Sequence, residues 1–523
     1  MKNREQIVFK NLFIPFFILI ISTLIGIYFR PFLIIDETRY ISVAWEMWDK
    51  NSFLVPLLNG EPYHHKPPFL FWLVHLNWLI FGVNETFVRF IPLLFGLGSL
   101  ILTYKIYLTL WREDIKGAKN TVLILSGTLL FTFFSSLFMF DVILTFWVLI
   151  GILGIVQASQ KKGILPFVLI AISIGLGVLT KGPVILVHIL PLILLAWYWS
   201  KTKLDKSFYI GFAFSFLGGV AIALSWAVPA GIAGGEAYQN AIFWGQSANR
   251  IVQSFAHKQP FWWYIPILPL LFLPWSACKS FYAGLKQSSI DYGLKILLVW
   301  FLSVLVLFSF ISGKNIHYIL PDIAALSLFF GRILSTSSEN IKVKNNVGYI
   351  YIITAVIFAI APFITLENIP YKLDRTSFLI SALILFFTGI YLIKKLDTTV
   401  QTVAISTIVP IFVVHFSIHN ILKEQNLSLF SQKIASLQQQ GIVVAHEGKY
   451  HDQFHFIGRL HKKIILLEGE HDISKFIQLH PNAVIITYCK KRDMDMIDQH
   501  NIIIKTSFKN KNAMLIQVNL VEQ

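Results

Sequence analysis

Apolar residues in this chain gather in long runs with few polar interruptions, near 11–29, 86–110, 121–140, 142–158, 163–180, 184–199, 207–229, 262–278, 294–311, 318–334, 347–366, 376–393 and 400–419. Each run is close to the roughly 20 residues that a helix needs to cross a hydrocarbon core. None shows the strict alternation of an outer-membrane strand, and a helix satisfies its own backbone groups in lipid. The pattern therefore predicts an all-α polytopic domain of about thirteen transmembrane helices. One further run, Phe69 to Val83, is only about fifteen residues, short for a crossing, and counting it would invert every later loop. It is expected in the interface, started by Pro67 and Pro68 and given polarity by His75 and Asn77.

After about Leu427 the pattern changes. Short β-branched runs at 441–445, 463–467, 483–487, 501–505 and 514–518 alternate with polar turns and predict a small α/β domain of about 95 residues. The expected organisation is a membrane domain over 1–420 and an α/β domain over 421–523. Within the former, a loop at 30–85 carries two interfacial helices, one near Glu37 to Lys50 and one from Pro68.

Composition agrees with a membrane chain: 55% of the 523 residues are hydrophobic and 14% charged, where a soluble domain has about 25% charged. The formal net charge of +16 reflects Lys and Arg in every second gap between apolar runs, which reads as topology rather than nucleic-acid binding. That distribution predicts a cytoplasmic amino terminus, with residues 30–85, Asp141, Lys181 and the tail from about 420 on the periplasmic side. The first apolar run ends in Tyr28-Phe29-Arg30 without a small-residue cleavage site, so no cleavable signal peptide is expected. Cys278 and Cys489 lie in dissimilar settings and imply no disulfide.

Charges beside hydrocarbon are costly, so those at the predicted outer edge are the candidates for chemistry. Asp36-Glu37-Thr38-Arg39-Tyr40 follows the first span directly; its carboxylates can hold a proton or metal and its guanidinium a phosphate, or the acids can simply cap a helix. Tyr63-His64-His65-Lys66-Pro67-Pro68 sets an ammonium at a helix start, suited to an anion or to snorkelling. Asp141 and Lys181 each sit in a short gap between two apolar runs, and Arg250, His257 and Lys314 lie in later gaps of the same predicted side. Carboxylates with phosphate-compatible cations at the mouth of a helical bundle point to a lipid phosphate as ligand.

In order, Asp36-Glu-Thr-Arg-Tyr40, Tyr63-His-His-Lys-Pro-Pro68, Val88-Arg-Phe-Ile-Pro92, Asp141, Leu179-Thr-Lys-Gly-Pro183 and His317-Tyr-Ile-Leu-Pro321 resemble the bacterial polyprenyl-phosphate-sugar-dependent glycosyltransferases of the GT-C fold. The likeness is strongest to lipid A aminoarabinose transferases and to protein O-mannosyltransferases, and it covers roughly residues 10–335. It implies an inverting inner-membrane enzyme that moves a sugar from undecaprenyl phosphate to lipid A or another envelope acceptor. Asp36, Asp141 and Glu37 would be its catalytic carboxylates, and Arg39, Lys66, Tyr63 and Lys181 its donor-phosphate residues. Where relatives have an acid before the KPP lysine, this chain has His65; with His257 it could supply zinc ligands, and the change leaves the sugar open. The competing class is a lipid-linked substrate transporter or flippase. Such proteins place ionisable groups near mid-bilayer and often carry inverted repeats, whereas here the charges map to one edge and no repeat is found.

Overall fold

A computed structural model describes residues 2–245, 258–336, 346–364, 373–395, 399–490 and 501–517. Among them eight helices are long and apolar enough to cross a membrane, or nine if Ile115–Ser126 and Leu129–Ser135, bent by 65°, form one broken span. The chain is a multi-pass membrane protein. Three shorter apolar helices, Leu165–Lys181, Ile185–Leu194 and Val347–Phe363, fall on further runs of the predicted thirteen, and a fourth, Phe69–Phe81, falls on the short run left out of that count. One run fails as a single helix. Over 262–278 only Tyr264–Leu271 is α-helical, followed by a 3₁₀ turn at Trp275–Ala277. Pro274 stands between the two pieces, where its missing N–H and its ring oppose continuation of the helix. The run from 184 likewise divides: its helix, with Pro191 inside, stops at Leu194, and a separate turn follows at Ala196–Trp199.

The two ends of the bundle differ in their chemistry. At one end Arg332 bridges Asp114 (3.1 Å) and Asp291 (3.2 Å) while its guanidinium lies 4.9 Å from the Trp111 ring. The two aspartates double as helix caps, Asp114 accepting from the Gly117 amide and Asp291 from the Leu294 amide. Tyr107 and Ser335 donate to Asp114 at 2.6 and 2.5 Å, and Trp111 donates to Asp291 at 2.7 Å. Helix Asp141–Ser159 has 19 residues, so its ends lie about 28 Å apart. Its last turn adjoins this network through Gln160, which donates to the Thr109 carbonyl, and its first residue, Asp141, lies at the other end.

The two helices expected within 30–85 are present as Asp36–Asp49 and Phe69–Phe81. Between them runs a two-residue hairpin, β1 (Leu57–Leu58) and β2 (Glu61–Pro62), turned by Asn59 and Gly60, both with φ above 50°. His75, expected to supply interfacial polarity, is instead turned inward and bonded to the Ala44 carbonyl at 2.9 Å, tying the two helices together.

The tail is an α/β domain. Its strands are β3 (Val444–Glu447), β4 (Ile465–Leu467), β5 (Val484–Lys490), β6 (Ile502–Phe508) and β7 (Lys511–Gln517), in the order β4-β3-β5-β7-β6. β3 is parallel to β4 and β5, and β5-β7-β6 are antiparallel. Helix Ser428–Gln439 covers one face, where Phe430, Ile434 and Leu437 join Val444, Ile486 and Leu515 in a core of its own. This domain docks on helix Asp36–Asp49. Trp45 donates to the Leu460 carbonyl (3.0 Å), Asn59 exchanges hydrogen bonds with Ile464, and Phe456 stacks on Trp78 at 5.5 Å.

Candidate active site

The chain enters helix Asp36–Asp49 under constraint. Ile35 has φ 76° and ψ −44°, a sparsely populated positive-φ conformation that costs a β-branched residue about 1–3 kcal/mol. Two acceptors hold it there: Thr38 Oγ1 takes the Ile35 amide at 2.9 Å, and Glu37 Oε2 takes the Leu33 amide at 2.8 Å. Glu37 is fully buried, ion-paired to Arg30, and its second oxygen accepts the Phe138 amide at 2.6 Å. Arg30 in turn donates to the Ser136 carbonyl, and Arg89 donates to the Arg30 carbonyl at 2.7 Å. The helix start is thus held by Thr38 and by the Leu33 carbonyl, which accepts the Glu37 and Thr38 amides, while Glu37 braces the preceding turn. Asp36 is left with an exposed carboxylate, 3.9 Å from Arg39 one turn on.

Around Asp36 the fold assembles groups from four distant segments. Asp141, buried at the start of its helix, is ion-paired with Lys181, the last residue of Leu165–Lys181. Lys66 and His317 lie within electrostatic reach of the same carboxylate. The Lys66 ammonium stands 5.8 Å from the Phe140 ring, and that of Lys181 stands 4.7 Å from Tyr318. Tyr40 packs edge-on against Phe140 at 4.9 Å and adjoins Arg39, whose guanidinium is 5.3 Å from the Tyr40 ring. Burial pushes the Tyr40 phenol up to about 12, so it stays a hydrogen-bond donor at any physiological pH. Tyr63 is buried behind Arg39, its amide bonded to the Pro56 carbonyl at 2.7 Å. Arg39 keeps one buried donor, Nε, without a hydrogen-bond partner.

Leaving aside the closed Arg30–Glu37 pair, this cluster sets three cations, Arg39, Lys66 and Lys181, against two carboxylates, Asp36 and Asp141. The excess of positive charge and the aromatic walls suit a phosphate attached to an apolar tail.

Not every candidate joins the cluster. Lys314 is buried and donates to the carbonyls of Ile311 (2.6 Å) and Gln259 (3.0 Å), which fixes a hinge. His65 is exposed, its ring against His64 (4.5 Å) and Tyr63 (5.3 Å). His257 and Arg250 lie outside the described residues. Two contributions had no local signal in the sequence. His451, from the tail domain, comes within electrostatic reach of Arg39 and Asp36, and burial holds its pKa below the usual imidazole value. Deeper in the bundle, His188 Nδ1 stands 3.7 Å from Asp322 Oδ1, both side chains buried; Phe308 joins this pair to Tyr318.

Apolar helices with a cationic, aromatic-walled cluster at one end, covered by a structured loop and a small α/β domain, are what the resemblance to GT-C glycosyltransferases implies, and the chain resembles that class. The particular relatives are these. The Dolichyl-phosphate-mannose-protein mannosyltransferase family model matches residues 16–238. Undecaprenyl phosphate-alpha-4-amino-4-deoxy-L-arabinose arabinosyl transferase of Yersinia pestis (strain Pestoides F) is 28% identical over 323 residues, covering 59% of this chain and 56% of that protein. The enzyme of the same name from Serratia proteamaculans (strain 568) is 29% identical over 306 residues, with 56% and 53% covered. The chain therefore spans about half the length of the curated relatives it matches. In fold it is similar to the crystal structure of ArnT from Cupriavidus metallidurans bound to undecaprenyl phosphate, with a TM-score of 0.77 at 15% identity over 99% of this chain and 98% of that one. The apo form of the same protein gives 0.74, with 95% and 96% covered.

Proposed function

We propose that this protein is an integral inner-membrane glycosyltransferase that takes a sugar from undecaprenyl phosphate and transfers it, with inversion, to lipid A or another envelope acceptor on the periplasmic side. The observation that carries the proposal is the convergence of Arg39, Lys66 and Lys181 with Asp36 and Asp141 at one end of the bundle. As the anomeric carbon–oxygen bond of the donor breaks, the lipid phosphate passes from one negative charge towards two. Cations fixed in advance by Tyr63, Phe140 and Tyr318 stabilise that change more than they stabilise the bound donor, and this lowers the barrier. Asp141, locked to Lys181, positions that ammonium and faces the acceptor. Asp36, exposed and free of capping work, serves as general base when the acceptor is a hydroxyl; a phosphate acceptor, already anionic, needs only positioning. Glu37, with both oxygens occupied inside the fold, takes a bracing part rather than the catalytic one implied by resemblance.

Of the zinc pair His65 and His257 that the resemblance implies, His257 lies outside the described residues. No step is routed through metal there. The mannosyltransferase family match over 16–238 favours a peptide hydroxyl as the second acceptor class.

Purified protein with a panel of labelled polyprenyl-phosphate sugars, offered lipid A, other envelope lipids and hydroxyl peptides in parallel, tests both readings. Release of polyprenyl phosphate with label on one acceptor is expected. Donor crossing the bilayer of a vesicle without release would replace the transferase reading by a flippase.

A further inference from the structure

The far end of helix Asp36–Asp49 holds a second polar cluster. Glu46 of this helix meets Asp452 and His455 of the tail domain, and all three side chains are at least nine-tenths buried. One ligand atom from each lies within 4.8 Å of the others. His455 Nδ1 is 3.5 Å from Asp452 Oδ1, and His455 Nε2 is 3.9 Å from Glu46 Oε1. The carboxylates are close enough to share one donor: the Asn59 amide is 2.6 Å from Glu46 Oε1 and 2.6 Å from Asp452 Oδ2. The Gly60 amide holds the other Glu46 oxygen at 2.7 Å, whereas Asp452 Oδ1 accepts no hydrogen bond and points at the imidazole. The Tyr450 hydroxyl lies 2.9 Å from Nδ1, and the Lys462 carbonyl also faces the ring.

Two adjacent carboxylates taken out of water cost several kcal/mol each unless a counter-charge accompanies them. Lys50, the ammonium whose charge the ring feels, is directed to the His461 carbonyl and to Asp49. The unoccupied Asp452 oxygen marks where the missing positive charge would sit.

We propose that Glu46, Asp452 and His455 bind one divalent transition-metal ion, of the zinc or manganese class, that pins the tail domain to the loop carrying the candidate site. Two carboxylate oxygens with one imidazole nitrogen suit such ions rather than calcium, which takes six to eight oxygens. One ligand atom from each residue lies within 4.8 Å of the others, and closing to the roughly 3.4 Å between ligands of a zinc shell with bonds of about 2.0–2.1 Å asks for side-chain movements of about an ångström. The site is separate from His65, and nothing in it depends on the transferase reading.

The test uses the full-length protein in detergent, purified from cells supplied with zinc or manganese, desalted into metal-free buffer and measured for bound metal by mass spectrometry. One equivalent is expected at this site. Asp452→Asn and His455→Gln should each remove it, or weaken affinity at least tenfold, while His65→Ala keeps it. Chelation should lower the unfolding temperature of the wild type and leave that of Asp452→Asn unchanged. Wild-type protein without metal overturns the proposal, as does Asp452→Asn with its full metal content. An infrared band of a protonated carboxyl in the wild type, lost on Asp452→Asn, would also overturn it, by assigning the missing charge to a shared proton.

Discussion

The two ends of the helical bundle hold similar residues and put them to opposite use. Around Arg332 each strong charge faces a fixed partner: one guanidinium spans two aspartates, which also cap helices and accept from Tyr107, Ser335 and Trp111. Around Asp36 three cations gather about two carboxylates, and Asp36 approaches Arg39 only to 3.9 Å. A closed network stabilises a fold; an open one carries excess charge that a ligand can neutralise. The contrast separates structure from chemistry without reference to any relative, and it can be broken by substitution at either end.

The largest effect should come from Asp36→Asn, which keeps size and removes charge. With a hydroxyl acceptor, turnover should fall by about 10²–10⁴, the usual worth of a general base, while expression and the unfolding temperature hold. Unimpaired turnover would reduce Asp36 to a helix-start residue and erase the contrast. Lys66→Ala comes next. A charge-assisted contact in a partly dehydrated site contributes about 1.5–3 kcal/mol, so donor affinity should weaken roughly 10- to 100-fold in a binding titration with undecaprenyl phosphate. An unchanged dissociation constant would mean that the ammonium only snorkels.

Arg332→Met probes the opposite end, and there the expected change is in stability. Removing the shared cation leaves Asp114 and Asp291 facing each other, a loss of about 1–3 kcal/mol for groups that keep some solvent contact. The unfolding temperature should drop and KM for donor should stay within twofold. A KM change without a stability change would show that the two ends communicate.

Much of this architecture could be read from residue patterns because it is local. The five β-branched runs of the tail coincide with five strands, and the two helices within 30–85 were marked by charge at one start and by Pro67-Pro68 at the other. What escaped was set by long-range partners. Asp36 and Glu37 are chemically alike neighbours, and only the placement of Arg30, Leu33 and the Phe138 amide turns one inward and leaves the other exposed. The runs at 262–278 and 184–199 read as continuous because hydropathy does not register where a proline-containing helix stops, and the structure ends the helices at Leu271 and Leu194. Glu46 carried no signal at all, since its partners are about 400 residues away and their meeting depends on how the tail domain docks.

The smallest effect expected distinguishes charge from hydrogen bonding within the open end. Tyr40 lies between Arg39 and Phe140, and burial pushes its phenol up to about 12. Because that value is raised, the neutral form persists as pH climbs, and no phenolate limb should appear in the rate profile below about pH 11. Its contribution is then that of one neutral donor, about 1 kcal/mol. Tyr40→Phe should slow transfer roughly fivefold, evenly from pH 6 to pH 9, with the unfolding temperature little changed because the ring still packs on Phe140. A loss that grew with pH would mean that the hydroxyl ionises in the working enzyme. The excess of positive charge at this end would then be one smaller than three cations against two carboxylates imply.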